Sequence, residues 1–299
     1  MTAGHDGAWE TLLVELQDAG LDPDAVVAAV DAALEEDLPD GAVDVTSVAT
    51  IPPQARGEGV FAAREPGVVA GLGVAALVFL RVDAEVRVDD RVPDGTPVAA
   101  GDVVMRVAGP TRSLLTAERT ALNFASHLSG VATATARWVE ALAGTRAQVL
   151  DTRKTLPRHR ALQKYAVRCG GGTNHRFSLS DLAMVKDNHV VAAGGVVPAY
   201  QAVRTAYPDL PVEVEVTDLT QLTDLLEAGC DRILLDNMDT ATMAEAVRLT
   251  GGRASLEASG GLTIERAREV ARTGVDFISV GALTHSAPAL DLSFAIEPL

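Results

Sequence analysis

From Asp151 to Val280 the chain repeats one pattern: a short β-prone run, a polar terminus, then a stretch with helical apolar spacing. The runs are AQVLD, LAMVK, VEVEV, RILLD, SLEAS and DFISV, ending at Asp151, Lys186, Val216, Asp236, Ser259 and Val280. The last five endings stand about 20 to 30 residues apart, the length of one strand–helix unit. Parallel strands joined by right-handed crossovers end on one side of their sheet. The pattern therefore predicts a parallel barrel or open sheet, with ligands bound beyond the strand ends.

Ahead of this region, residues 8–19 and 24–36 have helical spacing, and Asp22-Pro23 supplies a cap and a first-turn proline. Residues 56–115 hold shorter β-prone runs, GVFAA, GVVAG, AEVRV, DVVMRV and RSLL, broken by turns such as PDGT and AAGD. A long helical stretch from Thr116 to Ala143 leads into the repeating region. At 299 residues the chain exceeds one ordinary core, so two domains are expected. With 47% apolar but only 4% aromatic residues, it suits helices packed on parallel strands, an α/β class.

Cys169 and Cys230 are too few and too separated for a disulfide framework or a CxxC zinc site, which predicts buried thiols in a reducing compartment. The N-terminus lacks a basic region followed by an apolar core, and the longest apolar run, Gly67 to Leu80, is too short to span a bilayer. The expectation is a cytoplasmic protein with no membrane partner.

The formal charge of −16 is unevenly placed: residues 151–190 hold eight Lys or Arg, three His and three Asp, a local +5 that leaves −21 on the rest. A strongly acidic chain with one short basic stretch disfavours nucleic acid, which needs a wide basic surface. A small anion is the better match.

Polar residues recur at the strand ends. Arg153 and Lys154 follow the first, Lys186 ends the second, Glu215 lies on the third and Asp236 ends the fourth. Ser259, Gly260 and Gly261 form the fifth, while Ser279 and Gly281 flank the sixth. Arg153, Lys154, His175, Arg176 and Lys186 combine planar forks, point charges and an imidazole, a mixture suited to carboxylates and phosphates. Like charges gathered so closely repel one another unless an anion joins them. By contrast, Arg158, Arg160, Lys164 and Arg168 fall on a helical pattern, where a solvated face or ion pairing is the simpler account. The Ser259-Gly260-Gly261 turn before a helix suits phosphate binding, and equally a tight left-handed turn. Glu215 and Asp236 suit Mg²⁺ coordination, directly or through water, and equally ion pairing with nearby bases. Lys186 at a strand end also suits Schiff-base chemistry in a barrel aldolase or decarboxylase. A non-catalytic phosphosugar-binding protein is a third class.

The motifs DTRKT, KYAVRCGGGTNHR, MVKDNH, EVEV, LLDNM, EASGG and ISVG, preceded by EEDLPDGAVDVTS and LTAERTALN, resemble those of quinolinate phosphoribosyltransferases in the same order. The resemblance implies an incomplete α/β (TIM-like) barrel with an N-terminal α/β sandwich domain. Residues 1–127 would form the sandwich, 128–285 the barrel, and 286–299 a segment packing back on the first domain. It implies a homodimer with shared active sites, or a larger assembly, acting on quinolinate and 5-phosphoribosyl 1-diphosphate with Mg²⁺ as cofactor. Arg153, His175, Arg176 and Lys186 would surround quinolinate, with Arg119 reaching in from the partner subunit and Thr152 as an accessory. Lys154 and Lys186 would face the phosphoribosyl group. Glu215 and Asp236 would serve the ribose and Mg²⁺, and Ser259, Gly260, Gly261, Ser279 and Gly281 would line the sugar-phosphate end. LPRHR and FSLSD depart from the family's commonest pattern at positions bordering the pocket. A paralogue of the same fold found with molybdate-transport genes is the nearest competitor, and the complete run of basic residues favours the biosynthetic enzyme.

Overall fold

Two helices open the chain, α1 (His5–Asp18) and α2 (Pro23–Asp37), in a computed structural model that describes residues 5–298. The outer domain limits expected at residues 1 and 299 lie outside the described residues. Asp22 accepts the Asp24 N–H and Pro23 occupies the first turn, so α2 starts where the cap signal predicts. A short α3 (Val45–Thr50) follows, then β1 (Arg56–Ala63), β2 (Gly67–Val68), α4 (Leu72–Val82), β3 (Arg87–Arg91), β4 (Pro97–Val98) and β5 (Val103–Pro110). The long α5 (Thr111–Ala141) leads to β6 (Gln148–Leu150), α6 (Arg160–Cys169), β7 (Ala183–Val185), α7 (Asp187–Ala193) and α8 (Val196–Ala206). Four further strands, β8 (Val212–Val216), β9 (Arg232–Asp236), β10 (Ser255–Ser259) and β11 (Phe277–Ser279), alternate with α9 (Leu219–Glu227), α10 (Thr240–Thr250) and α11 (Ile264–Ala271). The short α12 (Ala282–His285) and β12 (Leu292–Pro298) complete the described chain.

These elements form two compact units, one of residues up to 134 with 156–171 and 286 onward, the other of 135–155 and 172–285. The first holds a four-stranded antiparallel sheet in the order β12-β1-β5-β3. Its core includes Phe61 of β1, edge-on to Phe79 of α4 at 5.8 Å and to Phe294 of β12 at 4.9 Å. Pairing of β12 with β1 ties the C-terminal segment to this unit. Residues 156–171 also group here, because the Tyr165 hydroxyl of α6 donates to Asp94 at 2.7 Å and Gln163 pairs with His127 at 2.9 Å.

Two β-prone runs fold otherwise than their composition suggests. Only Gly67 and Val68 of GVVAG are extended, and the apolar run continues as α4, buried along most of its length. Its start is capped from a distant loop, since the Asp94 carboxylate accepts the Gly71 and Leu72 N–H groups at 2.8 and 3.1 Å. RSLL is the first turn of α5: the ladder of β5 ends at Pro110, and Leu114, Ala117 and Ala121 are buried at helical spacing.

The second unit holds six parallel strands in the order β6-β11-β10-β9-β8-β7. The first two of these strands in the chain, β6 and β7, stand at opposite edges, and no ladder joins them among the described residues, so the barrel is incomplete. Strand periodicity places Glu213 and Glu215 on one face of β8 and Val212, Val214 and Val216 on the other. On β10, Glu257 and Ser259 likewise share a face. All six carboxyl ends point the same way.

Candidate functional site

Asp151, fully buried just beyond β6, organises the loop that follows α6. Its carboxylate accepts the Asn174 side-chain amide at 2.6 Å and the His175 N–H at 2.9 Å. His175 is thereby fixed at its main chain, and its ring is turned inward with only 4% of the side chain exposed. Nε2 lies 2.8 Å from Glu213 of β8 and 3.3 Å from Glu257 of β10, while Nδ1 accepts the Arg176 N–H at 2.7 Å. Burial alone lowers the His175 pKa, while the hydrogen bond to Glu213 and the nearby Glu257 carboxylate outweigh it and push it up. Against that pull, the Arg176 N–H aimed at Nδ1 needs that nitrogen as an acceptor, so the geometry fixes the neutral ring as the Nε2–H tautomer facing the carboxylates, and a proton added at Nδ1 would break the contact to Arg176. Burial also pushes the Glu257 carboxyl up, against the easing influence of His175 and Ser279.

Next along the chain, Arg176 bonds through Nη1 to the Leu182 carbonyl at 3.0 Å. Its pKa is lowered by burial and by the charge of Arg153, so the two guanidinium groups feel one another. The Arg153 Nε is buried and makes no hydrogen bond, an orphaned donor of the kind that an anion satisfies. Thr152 Oγ1 accepts the Lys154 N–H at 3.0 Å, and buried Thr284 donates to the Lys154 carbonyl at 2.8 Å. The Lys154 side chain is exposed and crosses Gly281 so closely that a Cβ there would stand 2.8 Å from its Cδ. A side chain at position 281 would therefore displace that lysine.

The Lys186 ammonium donates to Glu215 at 2.6 Å, the ion pairing expected as one alternative for this acid. Lys186 also starts α7, its N–H donating to His189 Nδ1 at 2.9 Å. Asp236 accepts the Asn237 amide at 2.9 Å, and the Asn237 N–H donates to the Ser259 carbonyl at 2.9 Å, linking the ends of β9 and β10. Gly260 and Gly261 have φ of 96° and 57°, the left-handed turn expected at that point. Ser279 is buried beside Glu257. Arg119 stands exposed on α5 in the first unit, with Glu118 as its charged neighbour.

Asp151, Glu213, Glu257 and Asn237 were not among the sequence candidates. Period-two spacing was the available signal for the two glutamates, which precede Glu215 and Ser259 by two residues. Lys164 is fully buried, so the solvated-face account fails for it, while Arg158 and Arg168 are exposed and Arg158 precedes the helix expected to carry it. Cys230 and Cys169 are thiols that burial pushes up to about 11, as inert cysteines require.

Comparison with known proteins matches this geometry to one family. The family model described as quinolinate phosphoribosyl transferase, C-terminal domain, matches residues 131–295, and its N-terminal counterpart matches 44–129. The chain is 50% identical over 275 residues to a carboxylating nicotinate-nucleotide pyrophosphorylase of Mycobacterium leprae, covering 90% of this chain and 96% of that one. A chloroplastic protein of that name from Oryza sativa is 42% identical, with 90% and 77% covered. Among solved structures, NadC from Streptococcus pyogenes superposes with a TM-score of 0.90 at 42% identity, over 93% of this chain and 99% of that one.

Proposed function

Because the chain belongs to the quinolinate phosphoribosyltransferase family, we propose that it joins quinolinate to 5-phosphoribosyl 1-diphosphate, releasing pyrophosphate and CO₂ and giving nicotinate mononucleotide for NAD synthesis. The observation that carries this reading is the placement of Arg153, Lys154, Lys186, Glu215 and Asp236 at the carboxyl ends of one parallel sheet, with Arg176, from the loop before β7, within reach of the Arg153 charge.

Arg153 and Arg176 repel without a ligand, and a pyridine dicarboxylate between them relieves that repulsion and satisfies Arg153 Nε. Lys186 exchanges its Glu215 partner for substrate oxygen, which frees Glu215 for the ribose hydroxyls. Pyrophosphate departure leaves an oxocarbenium-like sugar, whose charge Glu215 and Asp236 offset. The pyridine nitrogen then bonds to the ribosyl carbon. In the resulting pyridinium, the 2-carboxylate leaves as CO₂, the bonding pair stays on the ring carbon beside N⁺, and a proton from solvent fills that position. Lys154 and Lys186 face the phosphates, while the Ser259–Gly261 turn and Gly281 hold the 5-phosphate end.

Glu215 and Asp236 fit Mg²⁺, because two partly exposed carboxylates leave room for the water and diphosphate oxygens this ion prefers. When bound there, it would neutralise charge on the departing diphosphate. We assign Arg119 of the partner subunit to the quinolinate pocket in a homodimer or larger assembly, and a cytoplasmic location. Among the described residues no helix is long and apolar enough to cross a membrane. A Schiff-base role for Lys186 is disfavoured, since its side chain is 45% exposed and paired with Glu215, whereas that chemistry needs a desolvated lysine.

The reading is tested by measuring pyrophosphate release from phosphoribosyl diphosphate and Mg²⁺ with quinolinate or nicotinate as acceptor. Release with quinolinate alone supports it. Binding of both substrates with no release would instead identify a phosphosugar-binding protein.

A further inference from the structure

We propose that Glu213 and Glu257 are positioning residues of the quinolinate clamp, holding the His175 ring and, through it, the main chain and guanidinium of Arg176. The proposal rests on the reading of this site as a quinolinate pocket. It goes beyond that reading by assigning two buried carboxylates that the chemistry itself does not use.

Glu213 and Glu257 come from β8 and β10, strands separated by β9, and both carboxylates reach one imidazole nitrogen at 2.8 and 3.3 Å. Their side chains are 2% and 1% exposed. Burying two carboxylates beside one imidazole is costly, and buried ionic clusters are commonly replaced by apolar residues without loss of stability. Fold stability alone therefore gives no reason for the cluster. Position does. His175 is tied at both ends, its N–H to Asp151 at 2.9 Å and its ring by a hydrogen bond to Glu213, with the Glu257 carboxylate, which makes no hydrogen bond of its own, 3.3 Å from the same nitrogen. One route from that ring to the pocket runs through Nδ1, which accepts the Arg176 N–H at 2.7 Å. Such a tether matters to Arg176 because the Arg153 charge acts against it, while its guanidinium is otherwise held by the Leu182 carbonyl at 3.0 Å and drawn by the charges of Asp181 and Glu213. Freed from the glutamates, the ring can turn about its side-chain bonds and release the Arg176 N–H.

The test uses the full chain. In Glu213→Leu and Glu257→Leu, side chains of similar volume keep the interior filled while removing the acceptors. We expect the quinolinate dissociation constant, measured by calorimetry on the free enzyme, to rise at least about tenfold, the scale of one lost charge-assisted contact. The KM for phosphoribosyl diphosphate should stay within about twofold. Glu213→Gln retains an amide oxygen that accepts from Nε2–H and should recover most of the affinity. If the leucine variants do not fold, Glu213→Asp retracts the carboxylate by one methylene and should still weaken quinolinate selectively. Equal losses for both substrates in step with thermal stability, or wild-type quinolinate affinity in folded variants, would overturn the proposal. So would a stoichiometric metal ion in the purified protein that is lost with Glu257→Leu, because the three ligand atoms lie within 4.8 Å of one another and would then be metal ligands. Failure of the wild-type protein to bind quinolinate is a different result, and it would remove the functional reading instead.

Discussion

Asn237 holds a left-handed backbone, φ 53°, with its side-chain amide against Gly260, so that a Cβ on Gly260 would run into it. Gly260 itself has φ 96°, a region costly for any residue with a side chain. The acid at the end of β9 and the turn after β10 are therefore built as one piece. Gly260→Ala combines backbone strain of about 1 to 3 kcal/mol with the Asn237 collision. We predict a rise of at least about tenfold in the KM for phosphoribosyl diphosphate, with quinolinate affinity within about twofold. Steady-state kinetics with each substrate varied checks this, and unchanged phosphoribosyl diphosphate kinetics would remove the turn from the phosphate site.

Arg153→Ala and Arg176→Ala should each weaken quinolinate use by about tenfold or more, since each loses a charge-assisted contact worth about 1.5 to 3 kcal/mol. Wild-type kcat/KM for quinolinate in both variants would dismiss the carboxylate clamp.

How much of this was legible beforehand follows from what holds each part. The strand–helix repeat, the polar strand ends and the Asp22-Pro23 cap are local patterns, and the structure reproduces them. The start of α4 depends on Asp94, more than 20 residues away, so GVVAG read as strand. Glu213 and Glu257 carry no local signal beyond their spacing, because acids inside a strand resemble ordinary alternation, and it is the inward-turned His175 that brings them together. Lys164 shows the converse: helical periodicity placed it on a charged face, but tertiary packing buries it completely.

If Arg119 completes the partner's pocket, subunits inactivated by Arg119→Ala and by Lys186→Ala should complement one another. A randomly exchanged equal mixture should regain activity at about a quarter of all sites, one of the two in each mixed dimer, following the symmetry of a two-fold interface. Proven exchange with no recovered activity would refute a shared site.

Asp44 offers a pH-dependent test of the fold. The Ser47 hydroxyl, with the Ser47 and Thr46 N–H groups, holds its carboxyl below the ordinary 3.8. The folded state therefore favours the ionised form, and this stabilisation is present above the unfolded pKa and lost as pH falls through the folded value. Asp44→Ala should cost about 1 kcal/mol near neutrality. Its difference from wild type should shrink as urea unfolding is repeated at successively lower pH beneath 3.8. A difference that persists undiminished would mean the cap acts by something other than charge.

The most direct test of the central claim follows label from the 2-carboxylate of quinolinate in the presence of phosphoribosyl diphosphate and Mg²⁺. The account predicts one labelled CO₂ for each nicotinate mononucleotide and each pyrophosphate, with no release when phosphoribosyl diphosphate is omitted. Labelled CO₂ formed without phosphoribosyl diphosphate, or substrate trapped on Lys186 by borohydride, would contradict it.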